Sequence, residues 1–94
     1  MPNPFTKEVW FNSDEEYAAF HLILMQYRNL EKTNEPEMSN MRMADCVSGM
    51  AEIMRNTAMQ AQGGKANHSD VQHEAAIVGA QAMRMLANYK EVKT

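Results

Sequence analysis

The sequence predicts an all-α fold, an antiparallel helical bundle of about three helices with an extended N-terminal arm. Apolar residues recur at spacings of three and four in separate stretches, which is the period of a helix with one buried face. Two Ser-led tetrapeptides, Ser13-Asp14-Glu15-Glu16 and Ser69-Asp70-Val71-Gln72, have the form of capping boxes. Between these stretches lie Pro36 and the pair Gly63-Gly64, which interrupt helices by different means.

The chain has 94 residues, enough for one domain, divided here into an aromatic arm (1–12) and a helical domain (13–94). The arm contains Pro2 and Pro4, lacks helical spacing and carries Phe5, Val9, Trp10 and Phe11. Exposed aromatics are costly, so an arm of this composition is expected to dock on the domain or on a neighbouring subunit. Helix one is expected from about Asp14 to Lys32. Tyr17, Phe20, Leu24 and Tyr27 form its stripe, widened by Ile23 and Leu30, and Pro36 restricts Glu35 just beyond it.

Helix two begins between Pro36 and Met41, with either Pro36 as its first residue or Ser39 as its cap. Met43, Val47, Met50, Met54 and Ala61 share one face, with Ala44, Ala51 and Ala58 beside it, and Gly63-Gly64 ends the helix. Gly49 lies inside, where glycine weakens a helix by about 1 kcal/mol relative to alanine, and it is expected to mark a close backbone approach. Helix three opens at Ser69, and Val71, Ala75, Val78, Ala82, Met85 and Tyr89 line one face, joined by Leu86. Ala75, Ala76, Gly79, Ala80 and Ala82 make its middle narrow, which allows a short interaxial distance and predicts that helix three is the central one.

Composition limits the functional classes. A chain this short buries only about 60–65% of the surface its unfolded form exposes, and its apolar content is dominated by Met and Ala. Small helical domains of this kind often complete their core by association, so a homo-oligomer is expected. The net charge of −3 comes without a basic stripe, which argues against extended nucleic-acid binding. Cys46 is the single cysteine and fits a reducing cytoplasm. No basic segment followed by an apolar one opens the sequence, and the longest run without a polar side chain, Ala75 to Ala80, is too short to span a bilayer. The expectation is a cytoplasmic protein with no membrane contact.

Reactive constellations are sparse. His68, Asp70, His73 and Glu74 could hold a divalent ion, but a helix N-terminus repels cations, and Asp70 there complements the helix dipole. Cys46 sits beside an apolar stripe with Arg42 one turn back, an environment more typical of a buried cysteine than of a nucleophile. Gly63-Gly64-Lys65 lacks the spacing of a phosphate-binding loop. Arg42, Arg55 and Arg84 could meet an anion but read more simply as solvated helix faces. The ten methionines are too many for one internal core and point either to an adaptable binding surface or to a loosely specified oligomer seam.

The run Glu74-Ala75-Ala76-Ile77-Val78-Gly79-Ala80-Gln81-Ala82-Met83-Arg84-Met85-Leu86 resembles the last core helix of small, phage-type MazG-like nucleotide pyrophosphohydrolases. The resemblance implies an all-helical, oligomeric, Mg²⁺-dependent enzyme that converts nucleoside triphosphates to monophosphates. It places Glu74 at a metal-binding carboxylate and Glu52 at the last Glu of the family's Glu-Glu-x-x-Glu motif. Ser48 and Gly49 stand where the acidic pair belongs, and Ile77 or Val78 replaces a second acid after Glu74. Across a hairpin centred near residue 66, Glu52 faces residue 80, about 9 Å along the helix from Glu74. The resemblance therefore implies a scaffold that has lost its chemistry.

Together these readings predict a non-catalytic, homo-oligomeric, protein-binding factor of phage origin, an inhibitor occupying a surface on a host protein or nucleoprotein complex. Its expected contacts are Phe5, Trp10, Phe11, Met38 and Met41. No cofactor is expected on this reading. The alternative is a nucleotide-binding protein, either a degenerate pyrophosphohydrolase or a sponge for a signalling nucleotide. It would use Arg42, Glu52, Arg55, Glu74 and Arg84, with Mg²⁺ as its ion.

Overall fold

The computed structural model describes residues 10–33 and 38–91. Three helices account for most of them: α1 (Asp14–Thr33), α2 (Asn40–Gln62) and α3 (His68–Asn88). Most of the arm, including Phe5, lies outside the described residues. Trp10 has helical backbone rather than the extended conformation expected of the arm. Pro2 and Pro4 are too distant in sequence to bar helical dihedrals there.

Local hydrogen bonds mark the starts of α1 and α2 and the end of α2. At α1, the Glu16 amide donates to Ser13 Oγ at 3.2 Å, and the Ser13 hydroxyl reaches Glu16 Oε2 at 3.4 Å. The box forms as expected, except that the hydroxyl rather than the Ser13 amide meets the carboxylate. Ser39 is the α2 cap, with the Arg42 amide donating to its Oγ at 3.1 Å, which decides between the two starts the sequence allows. The end of α2 is a Schellman turn. Lys65 N–H donates to Gln60 O at 2.8 Å, Gly64 N–H donates to Ala61 O at 3.1 Å, and Gly64 takes the left-handed φ of 77° that the motif requires.

The start of α3 differs from expectation. Asn67 is the cap residue, without a side-chain cap bond, and Ser69 lies inside the first turn. The Asp70 amide bonds Asn67 O at 3.1 Å, so the backbone closes its first turn before the Ser69 hydroxyl could act as a cap.

The helices run up, down and up. Thr57 of α2 meets Glu74 of α3, and Asn40 at the start of α2 exchanges two hydrogen bonds with the Lys90 backbone, at 2.6 and 2.9 Å. These pairs fix an antiparallel register. Ile23 of α1 meets Gly79, while Ala19 lies beside Gln72, Ala75 and Ala76, so α1 runs parallel to α3. Both α1 and α2 pack on α3 and hardly touch each other, making α3 central as its small residues predict.

Two expectations about packing are overturned. The close approach is at Gly79, not Gly49. A Cβ added at Gly79 would lie 3.0 and 3.1 Å from Ile23 Cγ1 and Cδ1, whereas nothing lies within 4 Å of one at Gly49. Moreover, the buried residues of α3 are Ala76, Ala80 and Arg84, not the stripe through Ala75, Ala82 and Tyr89. A helix flanked on two sides does not bury a single seam, and the face left between its neighbours stays open. On α2, Met43 is 1% exposed and Ala61 is buried, while Val47, Met50 and Met54 are half-buried on the expected side.

Gly49→Ala should raise stability by about 1 kcal/mol, because it adds helix propensity into open space. Gly79→Leu should lower it by about 1–3 kcal/mol, because it overpacks the Ile23 contact. Thermal melts followed by circular dichroism check both signs, and equal effects at the two glycines would contradict the packing described.

Candidate functional site

Two surface features have the shape of a binding site. The first is a polar cavity of about 550 Å³ at the α2–α3 turn, lined in part by Thr57, Lys65, Asn67, Asp70, His73 and Glu74. Its geometry follows from the Schellman turn, which brings the last turns of α2 beside the first turns of α3. The Thr57 hydroxyl lies 3.0 Å from both Glu74 Oε1 and the Ile53 carbonyl, so one proton serves two acceptors. Glu74 Oε2 is shielded from solvent and accepts no hydrogen bond.

The cavity brings together only part of the expected metal group. Asp70, His73 and Glu74 line it, and His68 is exposed outside its lining. Among the described residues, no group of three or more His, Cys, Asp or Glu side chains could hold a metal ion. Glu52 is exposed on α2, and the Thr57–Glu74 register sets it opposite residue 79, more than a helical turn from Glu74. The two carboxylates of the nucleotide reading therefore do not converge.

The cationic leads are equally dispersed. Arg42 and Arg55 are exposed on α2, about 20 Å apart along its axis. Arg84 is 4% exposed, which corrects its assignment to a solvated helix face. Its position beside Ala80 on the most buried side of the central helix explains the difference. Gly63, Gly64 and Lys65 spend their amides on α2 carbonyls, so the turn has no free N–H array with which to cradle a phosphate. Cys46 is a half-buried free thiol.

The second feature is apolar. Val47 of α2 and Ala82, Met85, Leu86 and Tyr89 of α3 line a groove of about 610 Å³. Leu86 is 86% exposed and Tyr89 58%. Farther along α3, Ala19, Ile23, Gln72, Ala75 and Ala76 line a smaller hollow of about 210 Å³.

The expected contact residues fare unevenly. Met41 is 70% exposed and Trp10 is 56% exposed, both accessible to a partner. Phe11 is instead half-buried, its ring 5.4 Å from Tyr17 and 5.3 Å from Phe20, so it seals the start of α1 rather than presenting a free contact. Met38 is half-buried. Sequence reasoning missed Thr57 and the groove. The signal for the groove was the large end of the α3 stripe, Met85-Leu86 and Tyr89, which was assigned to the core. Comparison of the chain with protein-family models, with curated proteins and with solved structures finds no match.

Removing the Thr57 hydroxyl should cost about 1 kcal/mol, because it strips Glu74 of its one described hydrogen bond. A double-mutant cycle checks this: Thr57→Val should destabilise the native chain and have little effect in a Glu74→Ala background. Equal effects in both backgrounds would show that the two side chains are not coupled.

Proposed function

We propose that this chain is a small, non-catalytic, homo-oligomeric binding protein that acts by occupying a surface on a larger protein or nucleoprotein complex. One observation carries the reading. Among the described residues the buried apolar side chains are Met43, Ala61, Ala76 and Ala80, whereas Leu22, Met25, Met41, Ile53, Met59, Leu86 and Tyr89 are all exposed. A chain that leaves this many large apolar residues exposed beside so small a buried core supports a role in contact with other surfaces. Methionines and aromatics suit that role, since they offer adaptable or rigid apolar area. The phage origin attached to this reading rests on the resemblance of α3 alone, as does the notion of a host target.

The nucleotide reading keeps one point in its favour, the unpartnered Glu74 oxygen in a polar cavity beside Lys65. The scatter of Arg42, Arg55 and Glu52 counts against it.

Affinity capture from lysate with the full chain tests the reading, alongside a thermal-shift panel of nucleotides with and without Mg²⁺. The expected outcome is a saturable protein partner, at least tenfold weakened by Met41→Glu or Trp10→Ala without loss of helicity, and a flat nucleotide panel. A shift of several degrees with one nucleotide would mean preferential binding to the native state and would favour the alternative.

A further inference from the structure

We propose that Met25, Met41 and Met59 are sites of reversible oxidation, at which a hydroperoxide turns exposed apolar surface polar without opening the core. The chain carries ten methionines, and burial sorts the described ones into three sets. Met25, Met41 and Met59 are 60%, 70% and 58% exposed, whereas Met43 is 1% exposed. Met38, Met50, Met54, Met83 and Met85 lie between these extremes, half-buried. The sharpest contrast falls within one helical turn. Met41 and Met43 are two residues apart on α2, a rotation of about 200° about its axis, and one faces solvent while the other enters the core.

Oxidation of a thioether follows access to its sulfur. With hydrogen peroxide, a sulfur lone pair attacks one peroxide oxygen, and an S–O bond forms as the O–O bond breaks. The proton on the transferred oxygen passes to the departing hydroxide, which leaves as water. Methionine loses two electrons and the peroxide gains them. The three exposed sulfurs meet the oxidant in the folded chain, whereas Met43 meets it only when the helices part.

The product has opposite consequences in the two places. A sulfoxide at Met25, Met41 or Met59 keeps its oxygen in water, so the helices hold. At Met43 the same oxygen would be shut in the core without a partner, which opposes folding. The surface change is undone by methionine sulfoxide reductases, which draw on a dithiol and release the oxygen as water. Met41 is also a contact residue of the reading above, where oxidation replaces an adaptable apolar contact with a polar one.

Hydrogen peroxide titrated against the full chain is the test, with oxidation at each residue read by peptide mass spectrometry and helicity by circular dichroism. Reading each residue separately keeps oxidation of the Cys46 thiol apart from that of the methionines. Met25, Met41 and Met59 should oxidise about tenfold or more faster than Met43, with the helical spectrum unchanged, and guanidinium should abolish the difference. Equal rates at Met41 and Met43 in the folded chain, or helicity lost in step with oxidation of the exposed three, would overturn the proposal. A Met25→Leu/Met41→Leu/Met59→Leu chain, close to the original in volume, supplies a second readout. Peroxide should shorten retention of the wild type on a hydrophobic-interaction column, a reductase should restore it, and the variant should not respond. Equal shortening of both chains would place the oxidised surface elsewhere and overturn the assignment. Neither readout uses a partner, so failure here is distinct from failure of the reading above.

Discussion

The contact of Ile23 with the bare backbone at Gly79 is the constraint on which the arrangement depends. A Cβ at position 79 would lie 3.0 Å from the Ile23 side chain, so Ile23 would have to give by a few tenths of an ångström for any larger residue there, and the absent Cβ lets α1 lie close to α3. The small residues around it extend the effect. Ala76 and Ala80 are buried on the same helix, and a helix this narrow can hold a neighbour on each of two sides. The cost is a thin core. Alanine contributes little apolar area, and among the described residues Met43 is the one large apolar side chain that is fully buried.

The α2–α3 pairing adds hydrogen bonds to its packing. The Schellman turn sets the reversal, and Asn40 clasps the Lys90 backbone at the far end. That register decides the chemistry. It puts Thr57 rather than Glu52 beside Glu74, and so leaves the two carboxylates that a metal would need more than a turn apart. It also directs the Gly63-Gly64-Lys65 amides into capping, removing the other plausible phosphate contact.

Helix number, order and the central position of α3 were legible because each rests on local chemistry: Ser13 and Ser39 as caps, Gly64 as the left-handed stop, and the run of alanines from Ala75 to Ala82. Burial was less legible. Periodicity reports that a helix has an apolar face but not how many neighbours share it, so the stripe through Ala82 and Tyr89 read as core although it borders open space. Arg84 failed for the reverse reason, since a charged residue is assigned outward unless its position on the central helix is known. Gly49 and Gly79 look alike in sequence, and only the placement of Ile23 separates an idle glycine from one on which packing depends. The cavity at the α2–α3 turn was visible only in part, because Thr57 is distant in sequence from the Asp70–Glu74 cluster it joins.

The central claim is that α3 is the shared core and that α1 and α2 each depend on it but not on each other. Native-state hydrogen exchange tests this most directly, because it resolves which segments open together. The account predicts that amides from Ala76 to Arg84 exchange only through global unfolding, while α1 opens at lower free energy without exposing α2. Protection that is highest in α1 and α2, lost together and independent of α3, would contradict it.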